Sequence, residues 1–530
     1  MGSMTGFARR SVVAALMALG LGGPALAQQA PSTLVVARNM DVNSLDPHRG
    51  FCDTCQIVFD ALYDTLVTIG PDNRTPVPRL ATRWEASSDL TRWTFHLDPR
   101  ARFASGRAVE AADVAWSFRR LAATRASSSF LAGDIERIET PDAHTVVVHL
   151  KAANSEFIGI AAAPYMAVVD RVVAEAAGIR AEGEVAQDGG DRWFGENSAG
   201  SGPFTLARYR PNDELRLARN ANYWRDAPAF AEVVIRQAAG AAVQGQLLAS
   251  GGADIALQLD TETARALPRD RATVQVLPSP NFIYLAIAPG APAAQGRFTP
   301  EVREAISLAV DRAAMIEFVL GGAGKPQASP IPNGFPGSAG LEVPGTDLAR
   351  ARQMLAAAGH GRGFDVDFTF PAINSYGADM SLVAQRLQQD LGRVGIRLRL
   401  QPATFPVWVQ QMRAAQLPMT IGYYAPDYFG SAQYVNFFGI MEGTPWFTRA
   451  GGGNLPSIAN GELRGLLTRA LAAPEAERES AFQAVARSMM GDRIILPLLS
   501  PDLVIAHRPG LQGVRYSTCC NLPLAEIRPR

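Results

Sequence analysis

The sequence predicts an α/β fold. Short β-branched strands alternate with helices along the whole chain, capping residues and glycines bound the helices, and the connections are short. With 530 residues the chain exceeds what one hydrophobic core ordinarily serves, so two or three domains are expected.

The strands are read from β-branched content or alternation: "TLVVAR" (33–38), "WTFHL" (93–97), "TVVVHL" (145–150), "EVVIR" (232–236), "FDVDFTF" (364–370) and "IRLRL" (396–400). The stretch "PFTLARYRPNDELRLAR" (203–219) reads as a hairpin turning at Pro211-Asn212-Asp213. The clearest helix starts at Thr299, a capping residue, with Pro300 in the first helical position. Apolar residues at 302, 306, 309, 313, 316 and 320 lay out one buried face, and Gly321-Gly322 ends it. A second helix runs from Asp347 to Gly359, and a third spans roughly 377–394. Segments 181–202 and 321–346 are rich in Gly and Pro and read as loops or crossings between lobes.

The first residues have the pattern of a signal peptide. Arg9 and Arg10 precede the apolar run "SVVAALMALGLGG", and Ala25-Leu26-Ala27 forms a small-x-small site, so cleavage is expected between Ala27 and Gln28. The run is too short and too rich in Gly for a membrane anchor, and no cysteine at the cleavage site offers a lipid anchor. The mature chain is therefore expected in a Gram-negative periplasm, with general and twin-arginine export both open. Loss of Arg9 and Arg10 leaves 48 basic against 50 acidic residues, a net charge of −2. Nothing in that balance supplies the basic footprint of a nucleic-acid binder. Lys151 and Lys325 are the only lysines, which reads first as genome composition.

Four cysteines remain, Cys52 and Cys55 as C-x-x-C and Cys519-Cys520 as an adjacent pair. An even count in an oxidising compartment points to disulfides, and three pairings are open, local closure and a link between the chain ends among them. The export signal weighs against a four-thiol metal site, and no thioredoxin-like pattern surrounds the C-x-x-C.

Signatures of catalysis are missing. The sequence has no H-E-x-x-H, no G-x-S-x-G and no complete phosphate-binding loop, since "GGAGK" (321–325) has Val319 where the first glycine belongs. Histidines 48, 96, 144, 149, 360 and 507 are scattered without ligand spacing, and His96 and His149 sit in strand patterns. No catalytic residue, metal or cofactor is predicted.

The stretch "IGYYAPDYFGS" (421–431) is the most informative. It sets one carboxylate, Asp427, among Tyr423, Tyr424, Tyr428 and Phe429. A buried unpaired carboxylate is costly, so this one either reaches water or receives a cation. Residues 423–447 hold nine rings, among them Trp446, against 42 in the whole chain; this local enrichment marks either a lined cleft or core, and about half are expected in core.

Several stretches together resemble the family 5 extracellular solute-binding proteins of ABC importers, the dipeptide, oligopeptide and nickel-binding type. They are "SLDP" (44–47), "LATRWEASSDLTRWTFHLDPRARFASGRAVEAADVAWSF" (80–118), "GSGPF" (200–204), "RNANYW" (219–224), "VREAISLAVDRAAMI" (302–316), "DLARARQMLAAAG" (347–359) and "GIRLRL" (395–400). Their number, order and spacing carry the likeness across the mature chain. Each has a plain structural reading too: Trp84, Phe95 and Phe103 as core, "GSGPF" as a tight crossing.

The resemblance implies a two-lobe periplasmic-binding-protein-like fold (type II, cluster C) with an extra domain inserted in lobe 1. Lobe 1 would take 28–50, 200–275 and 488–530, the insertion 51–199, and lobe 2 276–487. A bridge from Cys52 or Cys55 to Cys519 or Cys520 would then be geometrically conceivable. The implied function is capture of a peptide or peptide-like solute by hinge closure, by a monomer that delivers it to the transmembrane subunits of an ABC permease. In peptide-binding relatives a Trp-x-x-Asp-Tyr-like segment of lobe 2 lines the cleft and its Asp receives the ligand's α-ammonium. Asp427-Tyr428 falls on that Asp-Tyr; Tyr424 falls on the aromatic position, as Tyr rather than Trp, and "FGS" replaces a Pro-Asp-Pro-like run. The expected ligand-binding residues are therefore Asp427, Tyr423, Tyr424, Tyr428 and Phe429. His48 follows the first strand, with Arg49, and Arg413 is a candidate for a ligand carboxylate. Arg312 is expected in a structural ion pair. The alternatives are a sugar, an opine, an amine-bearing natural product, or a metal complex or haem in the same transport role. An exported enzyme would need an acid, base and nucleophile that the sequence does not offer.

Overall fold

The first strand, Thr33–Arg38, buries Leu34, Val36 and Ala37 and organises the largest sheet. It runs parallel to Glu232–Gln237 on one side and to Ile255–Leu259 on the other. In the computed structural model, which describes residues 33–442, 444, 447 and 455–530, this sheet has seven strands. Beyond Glu232–Gln237 lie Glu214–Arg219 and Phe204–Arg210, the hairpin expected around Asn212, whose φ of 60° makes the turn. Beyond Ile255–Leu259 lie Leu503–His507 and Thr273–Leu277. The expected signal peptide (1–27) and Trp446 lie outside the described residues. No helix among the described residues is long and apolar enough to cross a membrane.

A second sheet is built on Phe282–Ile287, fully buried, between Met419–Tyr424 and Ile495–Pro501. The parallel pair Phe364–Pro371 and Ile396–Ala403 shares its core. A third, antiparallel sheet of Ala81–Ala86, Arg92–Leu97, Thr145–Leu150 and Ile135–Asp142 lies within the segment expected as an insertion. There Phe95 and Phe103 are core and Trp84 is half-buried.

The chain crosses from the first sheet to the second between Leu277 and Phe282, and returns between Pro501 and Leu503. Residues 495–501 therefore pair in the second sheet, whereas 488–530 was expected wholly in lobe 1. The reason is "ILPLLSP", seven buried residues that need a partner on each side and find one in Phe282–Ile287.

Two other expectations change. The helix read from Thr299 to Leu320 is two helices, Pro300–Ala309 and Arg312–Leu320. Thr299 caps the first and Asp311 the second, through the amide of Ala314 at 3.1 Å, so the apolar spacing shifts and Ala313 is exposed. Arg312 makes no ion pair among the described residues. It is buried and donates to the carbonyls of Pro497, Ser307 and Pro344, and burial draws it down to about 10. It ties the helix to the sheet through carbonyl oxygens.

Of the cysteine pairings left open, Cys52–Cys55 is formed, and Cys519 and Cys520 are free and buried. Cys519 and Cys520 lie beside Asp60, whose carboxylate is engaged by Arg79.

The two lobes meet through specific contacts. Glu156, from the inserted segment, accepts the amides of Ser431 (2.6 Å) and Ala432 (2.9 Å), capping the turn that follows the Asp427 loop. Ser155 N donates to Leu471 O at 2.9 Å, and Thr261 Oγ1 to Leu320 O at 2.9 Å. Tyr428 packs in the core of lobe 1 and the insertion. Gly159 lets the insertion touch the Asp427 loop, because a Cβ there would collide with the carbonyl oxygen of Phe429. Gly159→Ala should therefore hinder closure while sparing the fold of each lobe. The expected result is ligand affinity weakened about tenfold or more, by calorimetric titration, with a native circular dichroism spectrum. Unchanged affinity would show that this contact does not belong to the binding-competent state.

Candidate ligand-binding cleft

The strand Met419–Tyr424 delivers its last two side chains to opposite faces, as the period of two requires. Tyr423 turns to Tyr376 (ring centroids 5.6 Å apart) and Phe405 (6.3 Å). Tyr424 packs among Tyr434, Phe437 and Phe438, with centroids at 5.4, 4.9 and 5.3 Å, and its hydroxyl donates to Asp427 Oδ2 at 2.7 Å. Gln433 winds the following loop around itself. Its Oε1 accepts the Asp427 amide at 2.7 Å, and its Nε2 donates to the carbonyls of Tyr428 (2.6 Å) and Gly430 (2.7 Å).

Asp427 is 7 % exposed. Among the described residues no cation pairs with it, and no group donates to its Oδ1. Burial pushes its carboxyl up to about 7; the Tyr424 hydroxyl opposes that rise and the Asp53 carboxylate adds to it. The opposite lobe contributes Gln56, whose Nε2 donates to Pro426 O at 3.3 Å, and Tyr165, whose hydroxyl donates to Cys52 O at 3.3 Å.

Asp53 is the first residue of the helix Asp53–Leu62, inside the Cys52–Cys55 loop. Burial and then Asp41 push its carboxyl up to about 6, while Arg38 and the Tyr376 hydroxyl oppose the rise. Asp41 accepts the amides of Asp53 (3.0 Å) and Thr54 (2.9 Å) and lies 3.7 Å from Arg38. A cavity of about 40 Å³ opens between the lobes here, lined by Arg38, Asp53, Asn281, Tyr376, Tyr516 and Asn521. Tyr516 also borders a wider cavity of about 300 Å³ at the crossing strands, with Arg74, Lys325, Phe335, Phe429 and Asp502 on its walls. A third space of about 320 Å³, around Glu304, Arg312 and Arg493, lies within the second lobe, and none of these cleft residues lines it.

The expected site residues thus separate. Asp427 and Tyr424 are joined by a hydrogen bond, whereas Tyr423 lies on the other face of its strand against Tyr376, near Asp53. Tyr428 is buried in the core of lobe 1 and the insertion, a contact between lobes, while the Phe429 ring stacks on Phe335 of its own lobe at 4.9 Å and its carbonyl lies against Gly159. His48 is fully buried, its Nε2 3.0 Å from Ala167 O, and burial with nearby Arg120 pulls it down to about 3. It is a neutral core residue, which corrects the expectation of a ligand contact. Arg49 is taken up by Asp46, Asp188 and Asp191. Arg413 is exposed on the last turn of the helix Phe405–Arg413. Sequence reading missed Arg38, Asp53, Asn281 and Tyr376. The turn "NSYGAD" was the available signal for Tyr376, since a tyrosine before glycine there takes a φ of 54°.

Comparison with known proteins agrees with this architecture. Residues 75–444 match the family described as bacterial extracellular solute-binding proteins, family 5. A di/tripeptide-binding protein of Pseudomonas aeruginosa is 26 % identical over 95 % of this chain and 96 % of its own. A dipeptide-binding protein of Pseudoalteromonas, solved with Met-Leu, superposes with a TM-score of 0.81 at 20 % identity over 94 % of this chain and 100 % of that one. A periplasmic binding protein of Agrobacterium tumefaciens, solved with agropinic acid, gives 0.76 at 22 % identity over 94 % and 99 %. With its two sheets joined by paired crossings around a cleft, this chain belongs to the family 5 bacterial extracellular solute-binding proteins.

Proposed function

We propose that this protein is the periplasmic substrate-binding component of an ABC importer, and that it captures a peptide or peptide-like solute by seating an ammonium on Asp427. The observation that carries this reading is the buried carboxylate itself, with one oxygen held by Tyr424 and the other without a donor among the described residues. An ammonium entering the closed cleft gains a charge-assisted hydrogen bond, and the rings of Tyr424 and its neighbours keep water out. Ligand contacts from both lobes favour the closed state, and only that difference in affinity drives closure. The protein does no chemistry, acts as a monomer exported by residues 1–27, and hands its cargo to permease subunits whose ATPase supplies the energy. The di/tripeptide-binding relative and the Met-Leu complex support a peptide.

A second reading is a non-peptide amine, such as an opine. The relative solved with agropinic acid favours it, and the same Asp427 would take its nitrogen. A haem or metal complex loses its support with His48 locked in the core.

Asp427→Asn should keep the fold and weaken an amine-bearing ligand by about 3–5 kcal/mol, read by calorimetric titration. Affinity equal to wild type would remove Asp427 from the site. A pH effect on the empty protein follows from the same groups. Burial in the closed state raises Asp427 and Glu156 to about 7 and Asp53 to about 6, above the ordinary carboxylate range expected when the cleft is open. A raised value means that closure takes up protons. Closure of the empty cleft is therefore easiest below the ordinary range and loses that advantage as pH rises through about 6 to 7. Small-angle scattering of ligand-free protein should show a more compact particle at about pH 5 than at about pH 8. A pH-independent radius would contradict it.

A further inference from the structure

We infer that the cleft is built for a solute with a second cationic group, seated between Asp53 and Asn281 while the first ammonium rests on Asp427. The inference rests on the solute-binding reading above and narrows its substrate class.

Three observations support it. The first is an unmet acceptor. Asn281 is 1 % exposed, lines the cavity of about 40 Å³, and its Oδ1 has no hydrogen-bond partner among the described residues. Asn281 is fixed at the crossing between the sheets, where its backbone carbonyl accepts Ser500 Oγ at 2.9 Å. Other buried polar atoms also lack a partner, but this acceptor belongs to a residue that lines the cavity beside Asp53, where a ligand's donor could meet it.

The second is charge. Among the described residues Arg38 is the only cation lining this cavity, and it faces Asp41 at 3.7 Å, an acid whose oxygens are also held by the amides of Asp53 and Thr54. When ionised, Asp41, Asp53 and Asp427 outnumber Arg38 by two. An ammonium on Asp427 answers one of these charges. Asp53 is then left with the Tyr376 hydroxyl and with Arg38, which it shares with Asp41, and a second cation would complete its pairing.

The third is shape. The cavity has room for an ammonium-sized group and none for a ring. Gln258 also lines it, and Ile57, Leu257, Leu503, Ile505 and Leu522 supply apolar walls that suit the methylene stem of a lysine-like side chain. Tyr376 closes it from the second lobe. It stands at φ 54°, a strained conformation for a tyrosine, leans on the Tyr423 ring, and presents its hydroxyl to Asp53. Asp53 and Tyr376 come from opposite lobes, so the pocket exists only in the closed state and rewards a ligand that completes it.

The test titrates the mature protein with trialanine, with the three tripeptides carrying one lysine, and with 1,5-diaminopentane. The expected result is one lysine tripeptide bound about tenfold or more tighter than trialanine, with that ratio falling to near one in Asp53→Asn. Asn281→Ala, which removes a side-chain oxygen without a partner, should lower the same ratio less and serves if Asp53→Asn fails to fold. The inference is overturned if no lysine position is preferred, or if the preference survives both substitutions. Binding of diaminopentane alone, sensitive to Asp53→Asn, would keep the second cation site and discard the peptide. Silence from every probe would overturn both.

Discussion

The structure turns on a carboxylate that the protein itself does not neutralise. Asp427 is carried into the interior by the edge strand Met419–Tyr424 and the loop wound on Gln433, and Tyr424 satisfies one of its oxygens. Nothing cationic among the described residues satisfies the other. Burial of this kind is unfavourable for the empty protein and favourable once an ammonium arrives, because the same low dielectric that penalises a lone charge strengthens a pair. On the proposed reading, this asymmetry makes one side chain separate an empty cleft from an occupied one.

The rest of the fold brings this carboxylate to the other lobe. The two crossings, Leu277 to Phe282 and Pro501 to Leu503, are the covalent links between the large sheets, and closure about them carries the Asp427 loop onto the inserted segment. There Glu156 caps the amides of Ser431 and Ala432, Gly159 leaves room for Phe429, and Tyr428 enters a core that is not its own. These contacts reward closure. The raised carboxyls of Asp427, Asp53 and Glu156 oppose it, most strongly above neutral pH. A balance of that sort leaves the decision to the ligand.

Much of this was legible in the sequence, and the parts that were not have physical reasons. Local signals were reliable where one residue decides one feature. Thr299 and Pro300 start a helix, Asp347 caps another, Asn212 turns a hairpin, and the rings around Asp427 mark a buried charge. The break at Asp311 was hidden because apolar spacing continues through it, and only the capping bond to Ala314 shows that the helix restarts. The place of 495–501 was hidden because a fully buried strand pairs by what lies on either side, which the chain does not state locally. The acidic half of the cleft was the least readable. Arg38, Asp53, Asn281 and Tyr376 belong to four separate segments, each unremarkable alone, and only the crossing of the lobes collects them around one cavity. His48 failed in the opposite sense, since its position after the first strand suggested the cleft while the core of the insertion held it.

The most direct measurement is a crystal structure of the protein saturated with a solute that it binds tightly. A basic nitrogen of the solute at about 3 Å from Asp427 Oδ1, in a closed cleft, is the predicted result. A solute that leaves Asp427 facing water, or that meets it with a neutral or anionic group, would contradict the assignment of this carboxylate as the anchor.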